Sequence, residues 1–282
     1  MTRQQLGRRG FFGALALAGG GLEALHAAQQ RRGARPRNLI WMVADGMSPS
    51  VLPLSEHFSR LVRGKGLLWQ ALLDRPEVQR GWMDEASLDS LVTDSSSSAS
   101  CWGSGSRIFN GWVNVLPDGT SLTPISAVAR DKGKRVGLVT TATVTHATPA
   151  GFAASVRNRD DEHVIAQQYL DRVDVILGGG LRFFDPAARA DKRDLVADFR
   201  AKGYGYAADR DAMRNLSGSR MLGLFSAGHM PYTLDHRSSP VGKSMIPTLA
   251  EMTSTALASL QSAPNGFLLQ VEGARVDHAA PA

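Results

Sequence analysis

Apolar and polar positions along the chain fall into short runs divided by turns. Residues 38–44 (Asn-Leu-Ile-Trp-Met-Val-Ala) make a continuous apolar run that stops at Asp45-Gly46. Such a run predicts a strand buried on both faces, as in a parallel sheet. Similar runs at 135–141, 173–177, 221–225 and 267–272 predict further strands, and 78–83 a weaker one. Segments 53–74, 163–171, 191–202 and 247–260 read as helices. A further helix is predicted from Thr123-Pro124 to Lys132, with Thr123 as its N-cap, Pro124 in its first turn and Gly133 at its stop. Residues 144–150 read as a polar loop and 231–240 as an irregular surface excursion. The alternation of strand and helix predicts an α/β fold, a mostly parallel central sheet with helices on both faces.

Residues 91–105 (Leu-Val-Thr-Asp-Ser-Ser-Ser-Ser-Ala-Ser-Cys-Trp-Gly-Ser-Gly) break the rhythm. One reading is a flexible Ser/Gly connector. The other is a strand that ends at Asp94 and turns into a helix at Ser95. A hydroxyl there would sit at a helix N-terminus, where free N–H groups and the helix dipole favour an anion.

Composition changes the picture in one respect. The net charge of +6 comes from the first 37 residues, which hold seven arginines and one acid; the remaining chain has 25 basic and 25 acidic residues. No basic stripe interleaved with aromatics follows, so nucleic acid is not an expected partner. Arg8-Arg9-Gly10-Phe11-Phe12, an apolar run to about Leu22 and small residues at Ala27-Ala28 read as a twin-arginine export signal over 1–28. A polar linker (29–37) and a catalytic domain (38–282) follow, and the expected destination is periplasmic or secreted. The leader's apolar run is shorter than the ~20 residues that span a bilayer, so no stable membrane anchor is expected. Cys101 is the single cysteine, which excludes an intrachain disulfide.

Asp45, Asp94/Ser95, His146/Thr148, and Glu272 with Asp277 all fall at the carboxyl ends of predicted strands. In open α/β sheets ligands bind at that edge, and such oxygen-rich convergence suits divalent cations. Six ordered motifs then resemble the alkaline phosphatase family. They are Val43-Ala44-Asp45-Gly46-Met47; Thr93-Asp94-Ser95 with 99–105; and Thr140-Thr141 through His146-Ala147-Thr148-Pro149-Ala150. The others are 174–180; Leu224-Phe225-Ser226 with Gly228-His229-Met230; and 270–278.

The resemblance implies a zinc- and magnesium-dependent phosphate monoester hydrolase with an alkaline phosphatase-like fold and a phosphoserine intermediate at Ser95. Ser95 would also contact zinc. Asp45 would bridge one zinc and the magnesium, Thr148 and Glu272 would ligate the magnesium, and Asp277 the other zinc. His146 would lie near the magnesium through water. Arg159, with Arg157 as the near alternative, would hold two phosphate oxygens in its fork. A homodimer is left open. Small phosphate monoesters are the implied substrates.

The pattern departs from the family at two places. Four residues past Asp277, where the family has a zinc-ligating His, stands Pro281, and the family's later Asp-His pair and further His would lie past Ala282. Both zinc sites are therefore expected to be incomplete, the domain C-terminally truncated, and the activity of these 282 residues poor. The alternatives are a catalytically poor phosphate- or magnesium-binding fragment and a phosphodiesterase of the same superfamily. A sulfatase is excluded, because Ser95-Ser96-Ser97-Ser98 lacks the Cys/Ser-x-Pro-x-Arg context.

Overall fold

The computed structural model describes residues 36–279. The proposed export signal and most of the linker lie outside them, as does Pro281. Among the described residues six strands form one sheet: β1 (Leu39–Ala44), β2 (Arg135–Thr143), β3 (Val175–Gly179), β4 (Gly205–Ala207), β5 (Met221–Leu224) and β6 (Phe267–Gly273). Their order is β1-β6-β2-β3-β5-β4, and every pairing is parallel.

The sheet is covered on both faces, and the alternation along each strand sorts the side chains. Val136, Leu138, Ile176, Leu222 and Leu268 point into one core. There they meet α4 (Ile125–Asp131), α5 (Ala147–Ala153), α6 (Glu162–Tyr169) and α7 (Leu195–Ala201). Val139, Val175, Leu177, Leu269 and Val271 point into the other, against α8 (Arg210–Arg214) and α11 (Leu249–Leu260). Period-two patterning of the strands requires this division.

Register places the site. Val43 pairs with Glu272, Ala44 with Gly273, and Thr140 with Glu272. Asp45 therefore leaves the sheet at the level where Glu272 points, although 227 positions separate them. Asp94 caps α3 (Ser95–Ser104) by accepting from the Ser97 amide at 2.8 Å, so Ser95 is the first helical residue. The connector reading of this stretch fails.

Several expectations are corrected. Residues 91–94 form no strand; Leu91 and Val92 are 94% and 78% exposed. Side chains take the place of a ladder partner there: Asn110 donates to the Val92 carbonyl at 3.0 Å and Asp89 accepts from the Asn110 amide at 3.0 Å. Residues 78–83 form no strand either. The helix expected over 53–74 is two, α1 (Val51–Arg63) and α2 (Leu68–Leu73), because Gly64 turns left-handed at φ 67°. Pro124, not Thr123, is the cap of α4. Residues 144–150 are not all loop, since α5 begins at Ala147. Residues 231–240 contain α9 (Thr233–Ser238) and the start of α10 (Pro240–Met245), whose cap is Ser239. Strand β4 and helix α12 (Arg275–Ala279) have no counterpart in the sequence pattern.

The largest difference concerns β1. The apolar run does form a strand, but it pairs with β6 alone among the described residues, and Leu39, Ile40, Trp41 and Met42 are 42–70% exposed. The sequence pattern describes a strand buried on both faces; here it is an edge strand.

Candidate active site

Ser95 lines a cleft of about 570 Å³ at the carboxyl edge of the sheet. Asp45, Asp94, His146, Arg159, Asp277 and His278 share its lining. The Ser95 hydroxyl faces Asp45 and donates towards both carboxylate oxygens, at 3.1 and 3.2 Å. Asp45 is 8% exposed. Burial and the nearby Asp277 push its carboxyl up to about 6, against the lowering effect of Ser95 and Arg159.

Arg159 reaches the same cleft. Its Nη1 donates to Asp94 Oδ2 at 2.9 Å and its Nη2 faces His146 Nε2 at 3.2 Å. Burial opposes the ionisation of Asp94. Hydrogen bonds from the Ser97 amide, the Ser96 hydroxyl and Arg159 outweigh it and hold the carboxyl below the usual range. Arg157, the near alternative, is absent from the cleft lining and lies over the Trp112 ring, 5.7 Å from its centroid.

Glu272 is fully buried and points most strongly to a cation. Thr140 Oγ1 donates to its Oε2 at 2.5 Å, while its Oε1 has no partner. Burial and the charge of Asp45 push its carboxyl up to about 7, opposed by the hydroxyls of Thr140 and Thr148. Thr148 lies in the first turn of α5, 1% exposed, with its carbonyl accepting from Gln270 at 3.0 Å. One ligand atom each of Asp45, His146 and Glu272 falls within 4.8 Å of the others. Two like-charged buried carboxylates with an orphaned oxygen and a hydroxyl beside them fit a hard cation such as magnesium.

Zinc fits less well. Ser95 and Asp45 are the expected ligands of one zinc, and Asp277, whose carboxylate sits over Gly46, of the other. A Cβ at Gly46, whose φ is 62°, would fall 2.2 Å from Asp277 Oδ1. Among the described residues these are two ligands and one, short of the three or four zinc takes, and the His beside Asp45, His146, belongs to the group with Glu272.

A second group is a product of the fold. His229 joins His146 and His278, with one nitrogen from each within 4.8 Å. Each ring accepts from a fixed donor: Arg159 for His146, the Thr143 amide at 3.1 Å for His229, and Arg275 at 2.6 Å for His278. Burial first, then the surrounding positive groups, lowers His146 to about 3 and His229 to about 4, and lowers His278 as well. His146 and His229 are held neutral at pH 7, and the guanidinium groups among the three rings disfavour a dication. The sequence assigns no role to His229, 83 positions beyond His146; its only signals are its place after a strand end and in the Gly228-His229-Met230 motif.

A depression of similar size, about 580 Å³, lies elsewhere between residues 121–131 and α6. Its arginines are engaged, Arg130 with Asp174 and Arg172 with Gln168 and the Ala153 carbonyl. It brings together no reactive group comparable to Ser95.

The alkaline phosphatase family profile matches residues 36–282. This chain belongs to the alkaline phosphatase family. Alkaline phosphatase 3 of Bacillus subtilis is 32% identical over 93% of this chain and 56% of its own length. The repressible alkaline phosphatase of Saccharomyces cerevisiae is 32% identical over 91% and 49%. The crystal structure of Thermus thermophilus alkaline phosphatase superposes with a TM-score of 0.83 at 43% identity, covering 88% of this chain and 51% of that one. The chain thus spans about half the length of these relatives. A histidine variant of the alkaline phosphatase of the Antarctic bacterium TAB5, 25% identical with a TM-score of 0.70, has magnesium bound in its M3 site.

The raised carboxyls of this alkaline phosphatase-family chain give it a pH signature. Glu272 keeps its proton in the folded state up to about pH 7, whereas unfolded it releases it near 4.5. The native state binds more protons in that window, so metal-free stability falls as pH rises from about 4.5 to 7, by on the order of 3 kcal/mol. Thermal melting in EDTA is expected to show this fall, and Glu272→Gln to flatten it. The part left below about pH 6 belongs to Asp45; a slope between pH 6 and 7 that survives Glu272→Gln would assign the effect elsewhere.

Proposed function

We propose that this chain carries the nucleophile and phosphate-binding part of a metal-dependent phosphate monoester hydrolase that acts through a phosphoserine at Ser95. The observation that carries the reading is Ser95 at the start of α3, donating to Asp45, with the Arg159 guanidinium in the same cleft. A helix N-terminus and a guanidinium fork both favour a phosphate. The alternative phosphodiesterase or binding-only readings have no observation of their own to favour them.

In this reading the Ser95 Oγ attacks phosphorus, the ester P–O bond breaks, and the alcohol leaves with a proton. Water then cleaves the phosphoserine and releases phosphate. Asp45 polarises the hydroxyl through their hydrogen bond. Arg159 holds two phosphate oxygens, and Asp94 fixes its position. Asp45, Thr148 and Glu272 would hold magnesium, with His146 beside it. When bound, the cation supplies charge neutralisation for the phosphoryl oxygens and a lowered pKa for water in its reach. Zinc belongs to the family reading; Asp45, Ser95 and Asp277 are its candidate ligands here. The substrates are small phosphate monoesters, and homodimerisation is left to measurement of the mass in solution. The leader at 1–28 directs the protein through the twin-arginine route to the periplasm or beyond.

The experiment is p-nitrophenyl phosphate turnover with magnesium and zinc, comparing the protein with Arg159→Ala. Loss of a bidentate charge-assisted contact is expected to raise KM and lower kcat/KM by about tenfold to a hundredfold. An unchanged kcat/KM would remove Arg159 from the phosphate site.

A further inference from the structure

Ser95, Ser98 and Trp102 recur at helical spacing on α3 and all line the cleft, so the cleft runs down that helix away from the nucleophile. Glu85 lines the same cleft. Its carboxylate makes no hydrogen bond or ion pair among the described residues. Arg107 is committed to the neighbouring Asp84 at 2.7 Å. Asp45 has Ser95 and Asp94 has Arg159 as partners, while Asp277, packed over Gly46, is an expected metal ligand. Glu85 is half-buried, and burial raises its carboxyl above the usual range. An unpartnered, partly desolvated carboxylate is costly. It also repels the phosphate dianion that the rest of the cleft is built to hold. A positive charge carried on the substrate removes both penalties.

We propose that Glu85 selects phosphate esters whose alcohol carries a protonated amine, the ammonium lying against Glu85 and the Trp102 face while the phosphoryl group lies at Ser95. Ser98 and Trp102 stand roughly 5 and 10 Å along the helix axis from Ser95 at ~1.5 Å per residue. That span suits an ammonium two or three carbons from the ester oxygen. Trp102, which packs on Trp41 at 5.9 Å between ring centroids, also lines the cleft, and an aromatic ring there attracts a cation; Met47 supplies apolar surface for the linking carbons. A neutral alkyl ester gains neither attraction, so discrimination rests on the charge. The inference rests on the phosphomonoesterase reading of the cleft.

The test compares O-phosphoethanolamine with ethyl phosphate, which differ in the ammonium group. The ratio of their kcat/KM values is measured for the protein, Glu85→Gln and Glu85→Asp. The ratio is expected to fall about tenfold in Glu85→Gln, the loss of one partly buried charge pair, and to be largely kept in Glu85→Asp. A purely structural role would shift both substrates together and leave the ratio unmoved. In a Ser95→Ala background the ratio of dissociation constants, read by calorimetry, is expected to change in the same direction. Were neither ester hydrolysed while the binding ratio still moved with the Glu85→Gln substitution, the phosphatase reading would fail and the ammonium site would stand. A binding ratio that is the same with and without Glu85→Gln overturns the proposal.

Discussion

Replacing Ser95 with alanine is expected to lower p-nitrophenyl phosphate turnover by about a thousandfold or more and to abolish acid-stable incorporation of phosphate into the protein. The size follows from covalent catalysis: removing the attacking atom closes the two-step route and leaves direct attack by water. Folding is expected to survive, because Ser95 caps nothing; Asp94 is the N-cap of α3. Asp45 would lose its hydrogen-bond donor, so its carboxyl, already pushed up to about 6, is expected to rise further. Phosphate labelling that persists in the variant would place the nucleophile elsewhere. Neighbouring Ser96 and Ser97 are poor replacements, since their hydroxyls are engaged with Asp94 and Asn110.

The second large effect is on stability. Gly103 of α3 packs against α5 so closely that a Cβ there would fall 2.1 Å from the Gly151 carbonyl oxygen. Gly151 returns the contact, since a Cβ on it would lie 2.6 Å from the Ala99 Cβ. Both obstacles are backbone or short, rigid groups on packed helices, so neither gives way cheaply. Gly103→Ala is expected to cost about 2–4 kcal/mol in a denaturant titration. The gain in helix propensity from alanine, ~1 kcal/mol, does not offset this. Because α3 carries Ser95 and α5 carries Thr148, the separation would also pull apart the nucleophile and the cation site. Asn114 reinforces the same junction, donating to the Gly151 and Ala154 carbonyls at 2.7 and 2.8 Å. A stability equal to the unsubstituted protein would show that the two helices separate at little cost.

The five strong apolar runs that predict strands all form strands, and Asp45 and Glu272 fall at the sheet edge where the runs end. Buried parallel strands need unbroken apolar stretches, and polar residues at their ends mark the edge. The start of α3 at Ser95 is also legible, because Asp94 is a strong capping residue. Helix α5 is not. Its sequence, Ala-Thr-Pro-Ala-Gly-Phe-Ala, has no polar face to give it a period, since every residue of it is buried. The neighbouring elements supply its environment on all sides.

Local patterning and ordered motifs lie along the chain, so they are enough for the parallel α/β architecture, the family, and the choice of Asp45, Ser95, Thr148, Arg159 and Glu272 as candidates. They are not enough for what tertiary packing settles. Arg159 and not Arg157 enters the cleft. His229 joins His146 and His278. Glu85 stands in the cleft without a partner among the described residues, and β1 lies at an edge. Those are relations between side chains and strands distant in sequence. Register and packing fix them, and neither leaves a local pattern in the chain.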